Sequence, residues 1–296
     1  MNKKVVVFGG GGFIGGYVVN ELQKRNYNVI VADLSEPRYL QSAQFERCDI
    51  LDAKKVNEII GKGVDYVYNF AGFANLEDAN NNPHLTFQLN VLGNLNILQA
   101  CANNNIQRFI YASSAYAMSS KGSFYGISKL TSEKIIEEFQ IKYHLAYSII
   151  RYGSLYSEQN HHNNYIYNLI KEAISTHSIN HKGNGEEYRE YIHAADAASL
   201  SVDILESEKF VNQHLILTGL EKMQRIELFK MIAEIMNIEL NIKLNTSAEH
   251  DHYEITPYSF HPTSSKKLIA NPYIDLGQGL LECIKNISNE INLNDK

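Results

Sequence analysis

The 296-residue sequence predicts an α/β fold built on a doubly wound parallel sheet. Three observations predict it. Short, near-continuous apolar runs alternate with helical patterns through the first half, as strands covered on both faces require. The first run, Val5-Val6-Val7-Phe8, empties into Gly9-Gly10-Gly11-Gly12-Phe13-Ile14-Gly15 and then an amphipathic stretch. The second, over 28–32, ends in Asp33.

Further strands are expected at 66–70, 109–112 and 147–150, and helices at 53–60, 85–103 and 126–143. The two long helices carry apolar residues at mixed three- and four-residue spacing, such as Leu89, Leu92 and Leu95, or Leu130, Ile135, Ile136 and Phe139. After Arg151 the alternation breaks. A polar stretch over 158–164 leads into a helix near 165–173 and a Gly-containing loop at 182–187. Segments 190–193 and 214–217 read as strands returning to the sheet, with a helix near 195–205 between them. A helix at 226–236, a polar hairpin-like region and a last helix at 276–291 complete the chain.

The glycines have distinct physical tasks. Gly9 can take the turn without a Cβ penalty, Gly12 lets backbone approach a pyrophosphate, and Gly15 lets helix and strand pack closely. Phe13 and Ile14 open a helix whose N–H groups and partial positive charge face the phosphates. Asp33 can accept both ribose hydroxyls of an adenosine and repels a 2′-phosphate, which favours NAD over NADP. Arg38, close by in sequence, is the counter-signal. The expected organisation is a Rossmann-type dinucleotide-binding domain over 1–153 and about 189–219, with a smaller, discontinuous C-terminal substrate lobe over about 154–188 and 220–296.

Bulk numbers exclude several classes. Apolar content of 44% supports a packed core, and a net charge of −6 gives no attraction to nucleic acid or an anionic membrane. Cys48, Cys101 and Cys283 are odd in number and far apart, which argues against a disulfide framework or metal knuckle. Met1-Asn2-Lys3-Lys4 leads straight into the first strand, with no signal segment or long apolar run, so a cytoplasmic protein is expected. His161, His162, His177 and His181 lack a carboxylate or cysteine partner at ligand spacing. They read as a solvated loop, and no metal is expected.

Tyr125-Gly126-Ile127-Ser128-Lys129 puts a phenol and an ammonium four residues apart at a helix start, hence on one face. A tyrosine titrates near ~10 and is a poor base at neutral pH. A nearby lysine and an oxidised nicotinamide both favour the phenolate. Ser114 lies at the end of the strand at 109–112, where ligands bind in open α/β sheets, and its hydroxyl can hold a substrate oxygen beside the phenol. A tyrosine four before a lysine is most often an ordinary surface pair. The dinucleotide signal upstream and the strand-end serine lift it to an active-site candidate.

With these motifs in this order, the chain resembles the extended short-chain dehydrogenase/reductases, and within them the NAD-dependent epimerase/dehydratase family that acts on nucleotide sugars. The resemblance rests on the run 9–15, Asp33, Asp49-Ile50, Asn69-Phe70-Ala71-Gly72, Asn90-Val91-Leu92-Gly93, Ser113-Ser114, Tyr125 to Lys129, Arg151-Tyr152, and Arg189-Glu190-Tyr191-Ile192-His193 with Asp196. It implies that Asp49 and Ile50 flank the adenine and that Phe70, Ala71, Gly72 and Asn90 line the dinucleotide. It further implies that Lys129 binds the nicotinamide ribose and tunes Tyr125, while Ser114 and Tyr125 hold the sugar hydroxyl. Arg189 then meets the diphosphate, with a solvated surface arginine as the alternative. Tyr116 and Ser154 are the other expected substrate contacts. Tyr191 and His193 read equally as strand core, and Asp196 as the cap of the next helix.

The chain also departs from the family pattern. Only the ten residues from Ala115 to Phe124 separate Ser114 from Tyr125, a short loop. Asn69 stands where the 4-epimerases have a histidine, and Ser154 where they have an asparagine. A second diphosphate arginine, expected around 243–253, is missing, leaving Lys243, His250 or His252 as substitutes. Ala115-Tyr116 replaces the Asp-Glu pair of sugar dehydratases, which argues against dehydration. The expected function is an NAD-dependent nucleotide-sugar epimerase working through a transient keto-sugar. The alternatives are an NAD(P)H-dependent keto-deoxysugar reductase and, in another class, a non-catalytic NAD-binding scaffold. The resemblance also implies a homodimer joined through helices 85–103 and 126–143 as a four-helix bundle.

Overall fold

Every apolar run of the first half becomes a strand of one parallel sheet. The computed structural model describes residues 3–37, 42–119, 121–161, 164–246 and 265–294. From the centre outward on one side lie β1 (Lys4–Phe8), β2 (Asn28–Asp33) and β3 (Gln44–Arg47); on the other lie β4 (Tyr66–Asn69), β5 (Arg108–Ser114) and β6 (Tyr147–Tyr152). Chain order reverses between β1 and β4, and a cleft outside the carboxyl ends of these strands is where such sheets bind ligands.

The period of two along β1 sends its residues to two different cores. Val6 and Phe8 face one layer, packed with Val56 and Ile59 of α2 (Ala53–Ile60), and with Ile97 and Ile136 further along the chain. Val5 and Val7 face the other, with Val18 and Leu22 of α1 (Phe13–Lys24). Val5, Val6, Val7 and Phe8 are all fully buried, which is why that run carries no polar residue.

The expected helix at 85–103 is interrupted. After α3 (Leu76–Asn81), α4 (Pro83–Phe87) passes into a π-helical segment, Gln88–Gly93, before α5 (Asn94–Asn103) resumes. Ser132, on α6 (Ser123–Tyr143), donates its hydroxyl to the Asn90 carbonyl at 2.6 Å, and a side chain inserted into the helical ladder loosens it. The bulge places Asn90 at the cleft.

A second correction concerns segment 190–193, which does not rejoin the main sheet. At Gly153 the chain leaves β6, and a Cβ there would collide with Thr218. The continuation, β7 (Ser154–Tyr156), pairs in parallel with β9 (Tyr188–His193), and β11 (Lys222–Gln224) closes this small sheet. β8 (Ser178–Lys182) pairs in parallel with β12 (Asn241–Asn245), which opens the polar stretch expected as hairpin-like; the rest of that stretch, 247–264, lies outside the described residues. The main sheet instead gains β10 (Gln213–Leu217), as expected, and an edge strand, β13 (Lys266–Leu268), too short and polar to read from sequence.

A third apolar cluster underlies the C-terminal part. It joins Ile166 and Ile170 of α7 (Tyr165–Thr176), Leu228 and Ile232 of α9 (Arg225–Met236), and Leu280 and Ile287 of α10 (Leu276–Asn294). Between α7 and α9, α8 (Ala194–Glu206) returns to the main sheet and packs on α1.

Candidate active site

The glycine turn is built as its residue types suggest. Gly9 has φ +75°, and a Cβ on it would stand 2.5 Å from the Ala71 nitrogen. At Gly15 a Cβ would collide with the Gly9 carbonyl, so α1 sits directly on the turn. Gly12 differs, because the nearest atom to a Cβ there is Gly9 O at 3.2 Å. Gly12 caps α1 without a side-chain hydrogen bond, and the first turn, beginning Phe13-Ile14, has no acidic residue. The helix dipole is therefore not neutralised by an acidic residue in its own first turn. Asp33 reaches the same turn: its Oδ2 accepts from Gly11 N at 2.9 Å and its Oδ1 from Leu34 N at 2.7 Å. An uncapped helix end, a clear approach at Gly12 and a fixed carboxylate fit the pyrophosphate and ribose of a dinucleotide.

On the other strand of the switch point, Phe70, Ala71 and Gly72 leave β4 beside the turn. Asn90 clamps the following residue. Its Oδ1 accepts from Phe73 N at 2.7 Å, and its Nδ2 donates to Phe73 O and to Ser128 Oγ at 3.1 and 2.9 Å. These bonds spend the Asn90 amide on holding the 70–73 loop. Asp49 accepts from Leu51 N at 2.9 Å, and Ile50 is buried against Gly93.

Ser114 closes β5, the strand whose Ala112 Lys129 touches, and Tyr125 shares the first turns of α6 with Lys129. Lys129 Nζ donates to Ala112 O at 2.9 Å and lies 5.9 Å from the Tyr125 ring centroid and 4.9 Å from that of Tyr111. Burial pulls the Lys129 ammonium down to about 8, against an opposing attraction from Glu133. Ser114 Oγ accepts from Tyr116 N at 3.3 Å, and the Tyr116 ring stands edge-on to Tyr125, centroids 6.0 Å apart. The short loop thus folds Tyr116 against the phenol.

Behind this cluster lies a buried polar network that sequence reasoning missed. Glu133 accepts from Ser113 Oγ at 2.5 Å, Arg151 Nε at 2.9 Å and Arg151 Nη2 at 2.6 Å. It ties the strand end carrying Ser114 to the helix carrying Lys129. A second missed network spans the cleft: Tyr17 donates to Glu158 at 3.1 Å, and His193 Nε2 lies 3.2 Å from the same carboxylate. The hydrogen bond from His193 is the main cause of the low Glu158 value, about 2.

The substrate candidates sort differently. Ser154 is paired in register with Tyr191. Arg189 is 2% exposed and donates from Nη1 to Tyr188 O at 2.6 Å, so the solvated-surface alternative is wrong. Tyr191 and His193 are buried, and His193, not Asp196, caps α8 by accepting from Ala195 N. Asp196 instead accepts from Ile274 N at 2.7 Å. Lys243 is exposed on β12. His161 stacks on Phe13 with centroids 5.6 Å apart, and His181 faces Glu187 at 3.3 Å. Arg38, His162, His250 and His252 lie outside the described residues. Sequence reasoning also missed Arg225, whose guanidinium lies 4.0 Å from the Tyr165 ring centroid.

The sequence profile of the NAD dependent epimerase/dehydratase family matches residues 5–217, which includes the glycine turn, Asp33, Ser114, Tyr125 and Lys129. The chain belongs to this family. It is an NAD-dependent enzyme of the extended short-chain dehydrogenase/reductase type, and NAD is its cofactor. A Methanocaldococcus jannaschii protein, named as a candidate UDP-glucose 4-epimerase, is 26% identical over 96% of this chain and 98% of its own length. The solved UDP-glucose 4-epimerase of Thermotoga maritima with UDP-glucose has a TM-score of 0.83 at 22% identity, covering 97% of this chain and 99% of that one. The UDP-glucuronic acid 4-epimerase of Bacillus cereus, in complex with UDP-glucuronic acid and NAD, has a TM-score of 0.82 at 20% identity with the same coverage. No helix among the described residues of this family member is long and apolar enough to cross a membrane.

Proposed function

We propose that the enzyme is a nucleotide-sugar 4-epimerase that oxidises and re-reduces one sugar carbon without net redox. Tyr125 beside buried Lys129 on α6, with Ser114 at the end of the β5 strand that Lys129 touches, carries this reading. Gly12, the α1 N-terminus and Asp33 would hold the NAD, with Asp49, Ile50 and the 70–72 segment along it. NAD supplies a hydride acceptor that can return the hydride to the opposite face. Tyr125 takes the proton of the sugar hydroxyl and later gives it back. Lys129 lies close enough to favour the phenolate while it is charged. Ser114 orients the same hydroxyl, and Tyr116 and Ser154 border the sugar. The lobe built on the third apolar cluster carries the nucleotide, with Arg189 toward the diphosphate. Asp33 weighs against a keto-sugar reductase drawing on NADPH, since a carboxylate repels the 2′-phosphate.

The enzyme should interconvert UDP-glucose and UDP-galactose, or another nucleotide-sugar pair of a tested panel, without added nicotinamide. Tyr125→Phe should lower kcat by roughly 10²- to 10⁴-fold, the usual size of a lost general acid–base group. Turnover retained in Tyr125→Phe, or a strict need for stoichiometric reduced nicotinamide, would overturn the reading. We further propose a homodimer. Leu85, Leu92 and Leu95 on the α4–α5 side, and Phe124 and Ile127 on α6, are exposed apolar residues on the two helices that would form the bundle.

A further inference from the structure

Helix α9 begins with a cation where helix physics disfavours one. Arg225 is its first residue, at the end carrying the partial positive charge. Glu227, the acidic residue of that turn, is engaged elsewhere: it accepts from the Gln224 backbone N–H at 2.8 Å in a capping box. Arg225 Nη1 is buried and has no hydrogen-bond partner among the described residues. A buried charged donor left unpaired is costly, so this position calls for an external acceptor.

The surroundings fix where that acceptor sits. The guanidinium is held over the Tyr165 ring at 4.0 Å and lies 5.9 Å from the Tyr191 centroid, contacts that do not satisfy the Nη1 donors. Its charge is also felt by Tyr116, the residue packed on Tyr125, and by Glu187. Tyr165 and His181 each feel both Arg225 and Arg189. Arg189 and Tyr191 are two apart on β9 and so share one strand face. Arg225, whose backbone N–H donates to Glu187 O at 3.0 Å, reaches that same Tyr191 ring, so the two guanidinia lie on one side of the small sheet. Glu187 supplies one compensating carboxylate there, and it also faces His181. A nucleotide sugar carries its anionic groups in its diphosphate, next to the sugar, and a planar fork of donors matches phosphate oxygens.

We infer that Arg225 is a substrate-binding residue that grips, together with Arg189, the diphosphate of the nucleotide sugar. This rests on the nucleotide-sugar reading above. Arg225 then takes the place of the second cation that the family pattern puts near 243–253, and the exposed Lys243 is left without that role.

The test is calorimetric titration of the NAD-loaded enzyme with UDP, GDP, CDP and dTDP, then with the monophosphate of whichever binds. Arg225→Met retains length and apolar contact with Tyr165, and should weaken the diphosphate by roughly ten- to a hundredfold, as loss of a charge-assisted bond does. The monophosphate should lose less, and Lys243→Met should change neither. Arg225→Lys, which keeps the charge and loses the fork, should fall between Met and wild type. Unchanged diphosphate affinity in Arg225→Met overturns the assignment. If that variant does not fold, unchanged affinity in Arg225→Lys does so. Wild-type enzyme that binds none of the four diphosphates overturns the nucleotide-sugar reading itself.

Discussion

Lys129 has two properties that pull against each other. Its cationic form is what favours the Tyr125 phenolate, yet burial lowers its own affinity for a proton to about 8. The ammonium is charged below that value and is neutralised as pH rises through it. The same depression means the folded chain binds fewer protons than the unfolded one between about 8 and the ordinary lysine value, so this group makes stability rise with pH there. For activity the sign is opposite. A kcat/KM profile should fall on an alkaline limb near 8, and Lys129→Arg, whose guanidinium stays charged, should lose that limb. A wild-type profile flat to pH 9.5 would contradict the role given to Lys129. The pair itself was legible in sequence, because four residues on a helix fix one face. Arg225 was not legible. Its meaning depends on Tyr165, Tyr191 and Arg189, which arrive from α7 and β9.

At the scale of elements, β5, β6 and α6 are locked by the Glu133–Arg151 pair. Both side chains are fully buried, and Arg151 also bonds Ser265 Oγ. Burial alone would raise the Glu133 carboxyl; hydrogen bonds from Arg151, with contributions from His214 and Ser113, outweigh it and hold the group at about 2. Its contribution to stability is therefore present above the ordinary value of 4.5 and is lost as pH falls toward 2. Removing one partner strands the other charge, so Glu133→Ala should cost about 3–5 kcal/mol by denaturant unfolding. The cost should shrink as pH drops below 4. A loss under about 1 kcal/mol at pH 7 would show that the network does not carry the junction. Neither Glu133 nor Arg151 stood out in sequence as a pair, since they lie on different elements and meet only when α6 crosses the sheet. The π segment at 88–93 was invisible for a related reason: the Ser132 hydroxyl that opens it belongs to another helix.

At the scale of the whole molecule, the unpaired feature is the apolar stripe shared by α4, α5 and α6. Leu92 and Ile127 are 52% and 54% exposed. A homodimer through this face buries them. The double variant Leu92→Glu/Ile127→Glu should turn a dimer into a monomer by light scattering with NAD still bound, because both side chains are exposed while those of their neighbours Asn90, Tyr125 and Lys129 are turned inward. A monomeric wild type would remove the proposal.

What the sequence determined by itself is whatever depends on near neighbours in the chain. Alternating apolar runs set the parallel sheet, glycine spacing set the turn on which α1 sits, and Tyr125 and Lys129 share a face through helical geometry. Asp33 had its place at a strand end from the apolar run before it. Only the tertiary structure decided that β9 leaves the main sheet, that Asn90 clamps Phe73, that His193 caps α8 while Asp196 holds Ile274, and that Arg225 lies over Tyr165 and near Tyr191. Apart from the local His193 cap, each of those joins residues far apart in the chain, and residue type alone does not encode which distant partner a polar group will find once the apolar faces have packed.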